Sequence, residues 1–288
     1  MNHPLRPSAA PFEGATPADR QSRIRGVRLA PLGWLALQAA ALWPHGRWMW
    51  QRATDGSDDP LGLAALAVLA LLAVRVAPRL RVLPRLSWLG ASALLTLAAT
   101  AALWVAPPLL AALLAALALA AALAAWLPDD VAWLPPAGLL LLTLPLVSSL
   151  QFYAGYPLRA LTAEASAWLL NLVDIAAERS GASMLVRGHL VIVDAPCSGV
   201  QLAWMAYFAA CATAALSGLA NGTFLRRLPW AGALALLGNI VRNTTLVGLE
   251  SRAQGLSPLA HEAIGLLALA IVCVLVIALM RGGRHAAR

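Results

Sequence analysis

The sequence predicts an all-α integral membrane protein with about eight transmembrane helices, and three observations support this class. Hydrophobic residues make up 60% of the 288-residue chain and charged residues 12%, whereas soluble domains average about 45–50% and about 25%. Apolar runs of about 20 residues, the length that crosses a bilayer core, recur along the chain. The 21 basic residues are all arginines and fall mostly between these runs. Charges placed in this way set membrane topology, so nucleic acid is not expected as a partner despite the net charge of +8.

The eight predicted spans are residues 29–46, 60–77, 87–105, 107–127, 131–151, 199–219, 229–249 and 260–280. If the N-terminus lies in the cytoplasm, the inner segments carry 14 arginines and the outer segments six, with Arg242 left inside the seventh span. The positive-inside rule therefore predicts that both termini are cytoplasmic. The turn that contains Asp129 and Asp130 is an exception, because it is predicted to lie inside and carries no arginine.

The predicted domain organisation is one membrane domain between two basic tails. Residues 1–28 form a disordered cytoplasmic tail, residues 29–280 a single polytopic domain with its catalytic part at 197–265, and residues 281–288 a second cytoplasmic tail. An outer loop of residues 152–198 joins spans five and six. Such a long ordered loop is typical of a functional segment.

The outer loop contains two predicted elements. From Pro157 to Arg179, apolar residues recur near helical spacing, which predicts an amphipathic helix at the membrane interface. Residues 184–197 read MLVRGHLVIVDAPC, where Arg187-Gly188 separates two short β-prone runs. This pattern predicts a small β-hairpin that leads into Cys197.

Cys197 is the first candidate reactive residue, because it lies at the predicted outer start of span six. The free N–H groups and the dipole of a helix N-terminus stabilise a thiolate and so favour a nucleophilic cysteine. Cys211 and Cys273 fall in the middle of spans without polar neighbours and are interpreted as packing residues.

Arg242 and His261 are the other two candidates. An arginine inside a span costs about 2.5–3.5 kcal/mol on insertion scales and normally marks a site, although a snorkelling side chain is the alternative interpretation. Asn239 lies three residues earlier on the same helical face. His261 opens span eight, and His189 on the predicted hairpin is the rival base. A thiolate, an imidazole and a guanidinium near one membrane face are the groups that acyl transfer requires.

No metal or organic cofactor is expected. One cysteine and two histidines without ligand spacing do not predict a zinc site. The chain also has neither a phosphate-binding glycine loop nor a dinucleotide motif.

Three motifs in a fixed order resemble the exosortase/archaeosortase family. They are Cys197-Ser198-Gly199, Asn239-x-x-Arg242 and His261, on successive late spans. The Pro157-Leu158-Arg159 stretch is also similar to the family. The Asp194-Ala195-Pro196 lead-in departs from the Glu-Ala that is commoner there, which leaves the subfamily and the exact sorting motif open.

The resemblance implies a cysteine peptidase or transpeptidase of the bacterial inner membrane whose active site faces the periplasm. Its partners would be exported proteins with a C-terminal sorting tail: a motif such as Pro-Glu-Pro, a transmembrane helix and a basic cluster. Cys197 would be the nucleophile and His261 the general acid/base, with His189 as a supporting residue. Arg242 would stabilise the oxyanion, with Ser198, Gly199 and Asn239 in support, or bind a substrate carboxylate. The acyl acceptor (water, an amine or a glycan) stays open.

Two other classes are compatible with the composition. One is a transporter or channel in which Arg242 lines an anion pathway, although the polar residues cluster at one face rather than along a path. The other is a non-catalytic scaffold of a polysaccharide or secretion system, in which Cys197 is inert.

Overall fold

The computed structural model describes residues 31–56, 60–192, 198–251 and 256–282. The predicted tail 1–28, most of the tail 281–288 and Cys197 with residues 193–196 lie outside these ranges. The described residues form ten α-helices and one small sheet. The helices are α1 (31–41), α2 (Trp43–Thr54), α3 (Gly62–Val76), α4 (Leu86–Val105), α5 (Pro108–Trp126), α6 (Leu134–Leu142), α7 (Val147–Asn171), α8 (Val200–Ser217), α9 (Asn221–Glu250) and α10 (Pro258–Arg281).

Alanine and leucine dominate these helices, and both have high intrinsic helix propensity. The start of α10 shows how local sequence sets a boundary. Pro258 occupies the first turn, where a missing N–H costs nothing, and the Ser257 hydroxyl accepts a hydrogen bond from the Ala260 N–H at 3.2 Å.

Five of these helices are long and apolar enough to cross a membrane, which confirms the predicted all-α integral membrane class. They are α3 with the 3-10 turn that follows it (Gly62–Arg79), α4, α5, α8 and α10, and the bent pair α6 and α7 would make a sixth span. These five match the predicted spans 60–77, 87–105, 107–127, 199–219 and 260–280. The predicted total of eight is not confirmed, because the first span contains a break at Leu42 and the seventh lies within the longer and more polar α9.

The fifth predicted span, 131–151, is not one helix. α6 ends at Leu142, α7 begins at Val147, and their axes differ by 92°. Pro145 lies in the break, and a proline lacks the N–H that a continuing helix would use. α7 therefore carries the chain from the end of this span into the predicted outer loop.

The predicted amphipathic helix from Pro157 to Arg179 is the second half of α7, but it ends earlier, at Asn171. The Asn171 side chain explains this end, because it both donates to the Ala177 carbonyl at 2.8 Å and accepts from the Ala177 N–H at 3.1 Å. The chain then forms β1 (Ala177–Ser180), which contains Arg179.

The predicted hairpin is confirmed and belongs to a three-stranded antiparallel sheet. β2 (Ser183–Val186) pairs with β3 (His189–Ile192), and β1 pairs with the other edge of β2. The two turn residues, Arg187 and Gly188, have φ angles of 51° and 83°. Positive φ at both positions is typical of the tight turns that match the twist of a hairpin.

Ion pairs show which loops share one end of the bundle. Arg81 and Arg85 bind Asp129, and Arg79 binds Asp130. The turn with Asp129 and Asp130, which carries no arginine, therefore lies beside the arginine-rich loop after α3. Both segments were predicted to lie on the same side of the membrane, and the structure places them at the same end of the bundle. Assignment of this end to the cytoplasm stays a prediction.

Small residues allow the later helices to pack closely around a common core, which joins α3, α6, α8, α9 and α10. A second cluster joins α7, the sheet and α9 through Ala167, Leu170, Met184, Val186 and Val247. The sheet is thereby held against the C-terminal half of α7, while α8, α9 and α10 are mutual neighbours. These two clusters position the candidate site.

Candidate active site

The turn that leads into α8 is anchored to α7. Cys197 lies outside the described residues, and the described chain resumes at its neighbour Ser198, which is buried. The Ser198 hydroxyl donates a hydrogen bond to Gln151 Oε1 at 2.7 Å and accepts one from the Val200 N–H at 3.3 Å. The residue after the candidate nucleophile thus has a defined position.

Gly199 brings the same turn against α9. Its φ of +85° lies in the left-handed region that favours glycine, and a Cβ atom there would stand 2.8 Å from Cγ and Nδ2 of Asn239. Asn239 is itself buried, and its Nδ2 donates to Thr162 Oγ1 at 3.2 Å. The structure therefore brings Ser198, Gly199 and Asn239 together, with α7 as the common support.

Arg242 and His261 line one cavity of about 620 Å³. The cavity lies between α8, α9 and α10 and is closed on one side by the chain that precedes α3. Its lining residues are Pro60, Leu61, Gln201, Leu202, Met205, Arg242, His261, Glu262, Gly265, Leu266 and Leu269. A mainly apolar cavity with a few convergent polar groups is typical of a binding or catalytic site.

The first turns of α8 and α10 both reach this cavity. Gln201 lies on α8 three residues after Ser198, and His261 lies in the first turn of α10. Arg242 approaches them from α9. The two sequence-predicted groups Arg242 and His261 therefore converge beside the helix that Cys197-Ser198-Gly199 introduces.

The remaining predicted residues are separate from this cavity. His189 is exposed at the start of β3 and is not among the lining residues. Cys211 is buried in α8, where its sulfur would be 2.6 Å from a Cβ on Gly138, and Cys273 is half-buried in α10. Both cysteines pack within the helices, as their sequence context indicated.

Sequence reasoning missed four residues that shape the site: Gln151, Thr162, Gln201 and Gly265. Gln151 and Gln201 each gave a signal, since each is an amide near the end of an apolar run. Thr162 and Gly265 gave none, because their role depends on which neighbouring helix they face.

The fold is that of a multi-pass membrane protein whose late helices line a cavity of about 620 Å³, which contains Arg242 and His261 and lies next to the first turn of α8. Residues 50–278 match the family model of the transmembrane exosortases. The match covers most of the chain and all of the cavity, so the chain belongs to the transmembrane exosortase family. Comparisons with curated proteins and with solved structures found no match.

Proposed function

We propose that this protein is a membrane-embedded cysteine peptidase or transpeptidase that cleaves C-terminal sorting signals from exported proteins. The observation that carries the proposal is the cavity shared by Arg242 and His261 beside the first turn of α8. Cys197 precedes that turn by covalent connection to Ser198. Family membership supports the same assignment.

The three groups have distinct roles in the proposed reaction. The Cys197 thiolate attacks the scissile carbonyl carbon, and the electron pair of the carbonyl moves to its oxygen. The Arg242 guanidinium stabilises this oxyanion, because a fixed positive charge in an apolar cavity has a stronger field than in water. A backbone N–H near Ser198 or Gly199 is a second donor for the same oxygen.

Collapse of the tetrahedral intermediate then breaks the peptide C–N bond. Protonated His261 gives its proton to the leaving amine, so that the tail departs as a neutral amine and a thioester remains on Cys197. Neutral His261 next takes a proton from the acyl acceptor, whose nucleophile attacks the thioester and restores the thiolate. Water as acceptor gives hydrolysis, and an amine or hydroxyl gives transfer.

The arginine distribution supports an orientation with both termini in the cytoplasm and the site at the periplasmic face of a bacterial inner membrane. The tail of the substrate would place its apolar helix beside the enzyme within the bilayer. Its basic cluster would then lie at the inner face and its cleavage motif at the outer end of the bundle.

The test is co-expression with an exported reporter that carries a Pro-Glu-Pro motif, an apolar helix and a basic cluster. We expect the wild type to remove the tail, Cys197→Ala to leave it in place, and the matched thiol variant Cys273→Ala to retain processing. Tail removal by Cys197→Ala would contradict the proposal.

The same variants distinguish the two other functional classes. A membrane-impermeant thiol reagent added to intact spheroplasts should label Cys197 and block processing. A wild type that neither processes the reporter nor reacts with this reagent would instead support a transporter or a scaffold.

A further inference from the structure

One face of α7 carries polar side chains that contact the turn at Ser198 and α9. Gln151 accepts from Ser198 Oγ, Thr162 Oγ1 accepts from Asn239 Nδ2, and Ser166 Oγ donates to the Ile240 carbonyl at 3.4 Å. The spacings of 11 and four residues place these three side chains on one side of the helix. This face therefore contacts the turn at Ser198 and the Asn239–Ile240 segment of α9, both of which lie next to the candidate active site.

Arg159 lies on the same face. With about 100° of rotation per residue, Gln151, Gly155, Arg159, Thr162 and Ser166 fall within an arc of roughly 80°. Along the axis, Arg159 is roughly 12 Å from Gln151 and roughly 4.5 Å from Thr162. It therefore lies between the contact to Ser198 and the contact to Asn239.

Arg159 is half-buried, and one donor of its guanidinium has no acceptor among the described residues. Its Nε is buried and makes no hydrogen bond to them, and Arg159 takes part in none of the ion pairs that they form. A buried donor without an acceptor is costly, and a guanidinium stays charged even when it is desolvated. An anion is the group that satisfies both its charge and its donor.

We propose that Arg159 binds the side-chain carboxylate of an acidic residue next to the scissile bond of the substrate. Nε and one terminal nitrogen of a guanidinium form a fork that matches the two oxygens of a carboxylate. Arg159 is thus a specificity residue, while Arg242 acts on the oxyanion. This inference rests on the proposed function and names one recognition element of its substrates.

The competing source of a carboxylate is the chain itself, since Asp194 lies three residues before Cys197 outside the described residues. An ion pair between Arg159 and Asp194 would stabilise the loop but would not discriminate between acidic and neutral substrate residues. The two sources differ in one measurable quantity, namely the preference for an acidic over a neutral substrate residue.

The experiment compares two reporters that differ only in the motif, Pro-Glu-Pro against Pro-Gln-Pro, in cells that express the full-length enzyme. We expect the wild type to process the Glu reporter about 10- to 100-fold faster, the range that a charge-assisted hydrogen-bond pair provides. Arg159→Gln should reduce this ratio to about one, mainly by slowing the Glu reporter. Arg159→Lys should keep part of the preference, because it keeps the charge but loses the fork.

Arg179→Gln is the matched control, since this arginine pairs with Glu164 on the opposite side of α7 and should leave the ratio unchanged. An unchanged Glu-to-Gln ratio in Arg159→Gln would overturn the inference. Equal slowing of both reporters by Arg159→Gln and by Asp194→Asn would overturn it too, in favour of the internal pair. If Arg159→Gln does not accumulate in membranes, the Arg159→Lys ratio decides.

Failure of the proposed function itself is distinguishable from failure of this inference. If the proposed function fails, the wild type processes neither reporter. If only the inference fails, the wild type processes at least one reporter in a Cys197-dependent manner, but Arg159 does not change the preference.

Discussion

The guanidinium of Arg242 lies against the backbone of Gly265, so that a Cβ on this glycine would stand 3.4 Å from both Nε and Nη2. Gly265 follows His261 by four residues, which is about one helical turn. The absence of a side chain at this position leaves space for the guanidinium between α9 and α10. The position of the Arg242 guanidinium therefore depends on a residue that has no reactive group of its own.

Substitution of Gly265 tests this dependence. A distance of 3.4 Å is at the edge of ordinary contact, so we expect Gly265→Ala to reduce reporter processing only a few-fold. Gly265→Leu should displace the guanidinium and reduce processing by more than about 10-fold, a loss of roughly 1.4 kcal/mol of transition-state stabilisation. Gly90→Leu is the control, because a Cβ at that position would meet no atom within 4 Å. Full activity of Gly265→Leu with normal membrane yield would contradict the geometry.

The Ser198–Gln151 hydrogen bond should support activity without being essential. Loss of one such bond costs about 1 kcal/mol, so we expect Ser198→Ala to slow processing about five-fold through a less ordered turn beside Cys197. The double variant with Gln151→Ala should be no slower than the slower single variant, since both remove one interaction. Ser217→Ala, at the opposite end of α8, should process normally. Additive losses would show that the two side chains act independently.

Two glycines separate backbone strain from steric crowding at the site. Gly199 and Gly218 flank α8 and have φ angles of +85° and +68°, so alanine at either position is strained by about 1–2 kcal/mol. Only Gly199 also faces a neighbour, because a Cβ there would stand 2.8 Å from Asn239, whereas a Cβ on Gly218 would meet no atom of another residue within 4 Å. Gly199→Ala should therefore lower both the melting temperature in detergent and the processing rate more than Gly218→Ala. Equal effects of the two variants would remove the steric argument.

The ion pairs at the opposite end should give a pH-dependent stability. Hydrogen bonds from Arg85 and Arg81 lower the pKa of the Asp129 carboxyl below its ordinary value of 3.8. The stabilisation is therefore fully present above the ordinary pKa and is lost as the pH falls through the lowered value. Asp129→Asn should lower the melting temperature at pH 7 and equally at pH 5, and the difference should vanish in stronger acid.

A measurement at high salt and a control variant, Asp174→Asn, test whether the effect of Asp129→Asn comes from its ion pairs. The Asp129 side chain is exposed, so 1 M NaCl should reduce the difference between wild type and Asp129→Asn by screening. Asp174→Asn, an exposed carboxylate in the loop after α7, should leave the melting temperature unchanged. If Asp129→Asn melts like the wild type at pH 7 and low salt, these ion pairs make no measurable contribution.

Hydropathy predicted the membrane class and the positions of five spans, because the length of an apolar run responds directly to bilayer thickness. It did not reveal the break within 131–151, since a sum over the run ignores where Pro145 interrupts the hydrogen-bond ladder. The sequence also did not reveal β1. Its residues Ala-Glu-Arg-Ser carry no strand pattern, and their pairing depends on the Asn171 side chain and on the edge of β2.

The sequence alone indicated the candidate reactive residues of the site, but not the residues that hold them in position. Arg242 and His261 are exceptional residue types at their positions, and the sequence therefore indicates them without a structure. Gly265 and Thr162 are ordinary in sequence. Their importance arises from the side of the helix that meets a neighbour, which no local pattern specifies.

The right-angled break between α6 and α7 relates the site to the thickness of the bilayer. α6 advances the chain by only about 13 Å, less than half of the roughly 30 Å hydrocarbon core, before the chain turns at Thr143. If Leu134 lies at one boundary of the core, the first turns of α7 lie below the opposite lipid headgroups, and Gln151 must find its partners in the protein. Longer acyl chains would bury this region more deeply, so we expect lipid length to set how much water reaches the turn at Ser198.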